Sequence, residues 1–185
     1  MTPTRPRVAG VDLSLASTGI AYNTGHCLKV GRADVTKLTI AVRTEVLREL
    51  ADEILLHIDT ADLVLIEKFV LARGKAGAGG AGERAYLYYL VVDALIHRIR
   101  IPVVEVPQAT LKMYATGRGN APKDEVKDAV AKRLSMFVTK GNSDMCDAAV
   151  LATLGSDHLG YPIVTMPQAH RRALSTVTWP EAVAA

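Results

Sequence analysis

The sequence predicts an α/β fold built on a mixed five-stranded sheet, three antiparallel strands followed by two parallel ones, with helices flanking it. Three features lead there. Short apolar runs broken by turn residues open the chain, apolar runs then alternate with segments of helical periodicity, and helices alone complete the core. With 185 residues, 49% of them hydrophobic, the chain suits one ordinary domain with a sizeable core, which excludes disorder as its main state.

Residues 7–13 and 18–23 read as strands, "NTGH" supplies a turn through Asn23 and Gly25, and residues 27–34 return as a third strand, so the chain opens as an antiparallel meander. Val42, Val46, Leu47, Leu50, Ile54 and Leu55 recur at helical spacing over 40–58. "DLVLIEK" is then a continuously apolar strand of the kind buried on both faces, ending at Glu67. A helix over 83–99, the strand "IPVVEVP", a short helix over 108–114 and helices over 122–136 and 143–155 complete the order, with Pro122 expected at the first position of its helix, where a missing N–H costs nothing. No internal repeat or linker divides the chain.

Composition narrows the setting. No apolar stretch reaches the roughly 18 residues that span a bilayer, since "YLYYLVVDALI" carries Asp93 and ends in a basic run. The N-terminal "MTPTRPR" lacks an apolar signal core, so a cytoplasmic location is expected, with no membrane partner. Cys27 and Cys146 have no metal-ligand spacing and read as small core residues rather than a disulfide or zinc site. A net charge of +3 does not by itself demand nucleic acid. Residues 110–140 are nevertheless rich in Lys and Arg, including Lys112, Arg118 and Lys123, and form a candidate phosphate-binding segment whose plainer reading is a solvated helix face.

The acidic residues stand out by their places. Asp12 interrupts the apolar run "VAGVDLSLASTG", where a carboxylate faces a desolvation cost unless a buried partner or a cation compensates it. Glu67 closes a buried strand. In "NSDMCDAAVLA", Asp144 and Asp147 share one helical face at i,i+3, with Asn142 or Ser143 as the cap. Any one of these carboxylates has an ordinary reading as a cap or ion pair; four together suggest hard oxygen ligands for magnesium or manganese. Two loops flank them. The glycine-dense "GKAGAGGAG", residues 74–82, predicts a flexible excursion after the Glu67 strand, and "TGRGNAP", residues 116–122, offers backbone amides to a phosphate.

At this point the chain resembles the RuvC-type Holliday junction resolvases, a family within the ribonuclease H-like nucleases. The resemblance covers residues 7–157 and rests on four blocks in the family's order: "GVDLSLASTG", "VLIEKF", "VPQATLKMYATGRGNAPKDEV" and "SDMCDAAVLA". The third block separates this family from most ribonuclease H-like enzymes. Two departures are visible. Leu13 and Ser14 follow the first Asp where bacterial members usually carry Pro-Gly, a form closer to bacteriophage members. Phe69 lies two positions after Glu67, whereas the aromatic that probes the junction centre in bacterial members usually lies three after; a core role for Phe69 is the plain alternative.

The resemblance implies a ribonuclease H-like nuclease domain over 1–157, a C-terminal extension over 158–185 with no assigned role, and a homodimer that resolves four-way or other branched DNA by paired nicks. It implies a catalytic set of Asp12, Glu67, Asp144, Asp147 and Lys123, the four carboxylates holding two Mg2+ ions per site, with Mn2+ as substitute. It implies DNA contacts from Lys112, Arg118, Lys123, Phe69, Arg73 and Lys75. Alternatives are a related nuclease acting on flap DNA or RNA–DNA hybrids, and a non-catalytic branched-DNA-binding protein. Actin-like kinases share a similar first-strand motif but need two such domains, for which 185 residues leave no room.

Overall fold

A computed structural model describes residues 5–70 and 80–181. Strands β1 (Val8–Asp12), β2 (Thr18–Tyr22) and β3 (Cys27–Val30) form the antiparallel meander, and β4 (Leu63–Glu67) and β5 (Val103–Val106) join β1 in parallel, giving the order β3-β2-β1-β4-β5. The central strands are apolar on both faces because helices cover both. Ala9, Val11, Val64 and Ile66 face a core shared with α1 (Ile40–Ile58) and α2 (Ala81–Asp93). Val8, Leu63, Leu65, Val104 and Val106 face the opposite core, shared with α3 (Gln108–Thr116), α4 (Lys123–Arg133) and α5 (Ser143–His158). The chain after α5 forms the short α6 (Gln168–Arg171) and a 3-10 turn, Arg172–Thr176, packed on this second core through Met166, Ala173 and Val177.

Several boundaries differ from those the sequence suggests. The third strand ends at Val30 rather than 34: Arg32 N–H donates to the Leu15 carbonyl at 2.7 Å, outside β2, and residues 33–34 form a turn. The helix expected over 83–99 begins at Ala81 and passes into a wider π-helical stretch, Ala94–Ile99, that ends at Arg100 with φ 70°. Pro122 is the extended N-cap of α4, one position earlier than expected, with its carbonyl accepting from Val126. The glycine-dense segment overlaps α2, since Gly80 caps that helix in the left-handed region and Gly82 lies within it; residues 74–79 lie outside the described residues.

The helix α5 is set against the sheet by glycines. A Cβ on Gly10 of β1 would stand 2.1 Å from the Ala148 carbonyl oxygen and 2.5 Å from the Ala152 nitrogen, and one on Gly19 of β2 would stand 2.1 Å from the Asp144 carbonyl oxygen. Backbone meets backbone there, so no side chain can swing aside. Asn23 fastens the other end: its side-chain amide accepts from Val8 N–H at 3.1 Å and donates to Pro6 O at 2.9 Å and Ser156 Oγ at 3.2 Å. Thus α5, buried from Met145 through Asp157, lies across β1 and β2 at one fixed height.

Gly10→Ala and Gly19→Ala should each lower stability by at least about 1–3 kcal/mol, the usual cost of overpacking, because backbone must move to admit the methyl. Gly141→Ala, where a Cβ meets nothing within 4 Å but φ is 72°, should cost about 1 kcal/mol or a little more. Denaturant midpoints of the three variants check this order.

Candidate active site

Parallel pairing of β1 and β4 brings the first two carboxylates together. Val11 pairs with Ile66, so Asp12 and Glu67, the next residues along, lie side by side where the two strands end. By the period of two along a strand, both project from the face that carries Val8, Gly10, Leu63 and Leu65, the face covered by α5. The third carboxylate comes from that helix. Asn142 caps it, its Oδ1 accepting from Met145 N–H at 2.9 Å, and Asp147 follows in the second turn, 8% exposed. One oxygen from each of Asp12, Glu67 and Asp147 lies within 4.8 Å of the others.

Asp144 is not in that group of three. Its Oδ1 accepts from the Ser143 hydroxyl at 3.0 Å at the half-buried start of α5, and its charge still reaches Asp12, Glu67 and Asp147. The expected set of four is therefore a tight trio with a fourth carboxylate at its edge, because the i,i+3 step along α5 carries Asp144 toward the helix mouth.

The trio resists ionisation. Burial, then the neighbouring charges of Glu67, Asp147 and Asp144, hold Asp12 well above the usual carboxylate range. Burial and the Asp147 charge push Glu67 up to about 7, and burial pushes Asp147 up to about 6. Lys123 opposes these shifts at all three residues and Lys112 at Glu67 and Asp147. Neither lysine forms a salt bridge with the trio. Close, largely desolvated carboxylate oxygens without a His or Cys among them are the donor set of a hard divalent cation, and the residues present fit such an ion.

Lys112 is half-buried on α3 and Lys123 is exposed at the first position of α4, both on the side from which their charges reach the carboxylates. Arg118 is held in an ion pair with Glu125. Phe69 is half-buried, its ring 5.8 Å from that of Tyr88, and it packs on the core under α1 and α2; Val70, one residue on, is 72% exposed. The core reading of Phe69 thus fits its packing. Arg73 and Lys75 lie outside the described residues. Beside Asp12 and Glu67 opens a cleft of about 140 Å³, whose other walls include Lys68, Arg84 and Tyr88. Tyr88 and Glu105 escaped the sequence reading. The Tyr88 hydroxyl donates to Glu105 Oε1 at 2.5 Å, and Lys68 Nζ lies 3.9 Å from Oε2. Tyr88 sits in an apolar helical stripe, which gave no sign of a polar partner on β5.

No family model matches the sequence. Among known proteins, it is similar to the crossover junction endodeoxyribonuclease RuvC of Parasynechococcus marenigrum, 30% identical over 156 residues that make up 80% of this chain and 97% of that protein. RuvC of a Synechococcus strain is 29% identical over 160 residues, with the same coverage of both chains. In three dimensions the fold matches Thermus thermophilus RuvC with a TM-score of 0.60 at 18% identity, covering 94% of this chain and 99% of the other. The same protein in complex with a Holliday junction substrate matches with a TM-score of 0.59 over 88% of this chain. The fold is ribonuclease H-like, as in those structures.

The raised carboxylates give a pH dependence of definite sign. A carboxyl whose folded pKa exceeds its unfolded value stabilises the fold fully below about pH 4, and that contribution is lost as pH rises through the folded value. Metal-free protein should therefore become less stable from about pH 4 through the values near 6 and 7 of Asp147 and Glu67. A divalent cation added at pH 8 should restore stability and do little at pH 5. Thermal melts with a chelator, then with Mg2+ or Mn2+, check both directions.

Proposed function

The chain belongs to the RuvC family of crossover junction endodeoxyribonucleases, and from that membership we propose that it cleaves Holliday junctions with Asp12, Glu67, Asp147 and Asp144 as its metal-holding residues. One observation carries the reading: three carboxylates, Asp147 buried and Asp12 and Glu67 half-buried, within 4.8 Å of one another, with the charges of two lysines from separate helices acting on them. Mg2+ is the proposed physiological cation, with Mn2+ as substitute, because all the donors are hard oxygens. Divalent cations bound there supply water activation and neutralise charge on the departing 3′ oxygen.

The protein's own groups do the rest. Asp12 at the end of β1, Glu67 at the end of the neighbouring strand and Asp147 on α5 would hold the cations between them. Lys112 and Lys123 draw the phosphate toward that site and stabilise the charge that builds on it. Cleavage then leaves a 5′ phosphate and a 3′ hydroxyl. Arg118 contributes to DNA binding by exchanging Glu125 for a backbone phosphate.

A four-way junction has approximate twofold symmetry, which a symmetric homodimer matches by placing identical sites on opposing strands. The exposed side of α2 supports such a seam: Tyr89 is 64% exposed, while Leu87, Tyr88 and Val91 on the same helix are buried as core.

Labelled junction, fork, flap and RNA–DNA hybrid substrates, incubated with and without Mg2+, test the reading. Paired, cation-dependent nicks in the junction are expected; cleavage of the hybrid alone, or binding without nicking, would overturn it. Asp12→Asn should cut the cleavage rate more than about a hundredfold while sparing junction binding, since ligand loss exceeds the effect of losing an outer partner. It should also stabilise the metal-free protein at pH 8, by removing a charge from a crowded site. Sedimentation at micromolar concentration should give a dimer.

A further inference from the structure

Residues 161–179 lie back across α3 instead of leaving the domain. Met166, Ala173 and Val177 share a core cluster with Leu111 and Tyr114 of α3. Polar contacts fasten the same surfaces. Arg171 donates from Nε to Asp157 Oδ2 at 3.1 Å, with its Nη2 3.0 Å from Oδ1, and the Tyr114 hydroxyl donates to the same Oδ2 at 3.0 Å. The hydroxyls of Thr110 and Thr176 are 2.9 Å apart.

His170, 8% exposed, makes the contact of most consequence. Its Nδ1 lies 3.0 Å from the Tyr114 carbonyl oxygen. That carbonyl belongs to the last turn of α3, where the helix offers no donor of its own, so an imidazole protonated at Nδ1 caps it. The far edge of the ring covers Gly117: a Cβ there would meet Nε2 at 3.1 Å and Cδ2 at 3.2 Å. Gly117 is the C-cap of α3, with φ 85°, and the chain turns there toward Pro122 and Lys123.

One ring therefore touches the end of the helix that carries Lys112 and the turn that leads to Lys123. Lysines are point charges on flexible stems, so their effect at a phosphate depends on where the backbone holds their roots. We infer that residues 161–179 form a strap across α3, with His170 as a positioning residue that sets Lys112 and Lys123 relative to the carboxylates. This rests on the reading in which those lysines hold the scissile phosphate. The carboxylates themselves are placed by β1, β4 and α5, so cation binding is separable from the strap.

The test compares His170→Leu, which removes the donor, with His170→Gln, which keeps one, in the full chain well below the melting temperature. In His170→Leu, single-turnover junction cleavage should fall between about tenfold and a hundredfold, as expected for misplaced binding groups. The melting shift on adding Mn2+ should be unchanged, and amide exchange over residues 114–121 should quicken. His170→Gln should recover most of both. Wild-type cleavage and exchange in His170→Leu would overturn the inference, as would loss of cleavage and of the Mn2+ shift together. Should His170→Leu fail to fold, Thr176→Val releases the strap at its other anchor and carries the same comparison. If the wild-type chain cleaves no junction, the proposed function fails by itself, and the exchange rates alone decide whether the strap holds α3.

Discussion

The candidate site depends on how closely α5 lies on the sheet. Gly10 and Gly19 leave no atoms between the strands and the helix backbone, so the helix settles at a depth no side chain could permit. Depth and rotation together decide where Asp147 meets Asp12. The Asn23 clasp to Ser156 and the Asn142 cap hold the two ends of the same helix, which makes α5 a rigid beam instead of one more packed element. A metal site needs that rigidity, because its ligand oxygens must stay close despite their repulsion.

The same site works against the stability of the fold. Burial first, and then neighbouring carboxylate charges, raise the pKa of all three carboxyls in this half-buried corner, while the charges of Lys112 and Lys123 offset part of that cost. Two well-packed cores, one on each face of the sheet, hold the trio together nonetheless. This is the usual pattern of a functional site, where local energy is sacrificed and packing elsewhere compensates. A cation held there, as proposed, would exchange this repulsion for coordination.

Contacts with neighbours decide several details that residue patterns leave open. Phe69 and Tyr88 look interchangeable as apolar residues, but Tyr88 also reaches Glu105, and both line the cleft beside Asp12 with their rings tilted at 38° to each other. Arg118 reads as a free basic residue, but Glu125 in the first turn of α4 holds it in an ion pair. The segment after α5 carries no pattern beyond scattered apolar residues, yet it is docked through Asp157, Tyr114 and Gly117, which are distant in sequence.

The order and type of the elements were legible from the chain because apolar periodicity records which face of each element is buried, and the carboxylates were legible because each stands where burial should forbid it. Glu67 ends a strand that reads as buried on both faces and Asp12 breaks another, but their meeting rests on the parallel pairing of β1 with β4, which the structure supplies. Only the tertiary structure decided that Asp147 completes the trio while Asp144 stays at its edge, that β3 stops at Val30, and that His170 caps α3. The physical reason is common to all three. Each depends on the distance between surfaces that are remote along the chain, and sequence patterns record which side of an element is buried but not how near its neighbour lies.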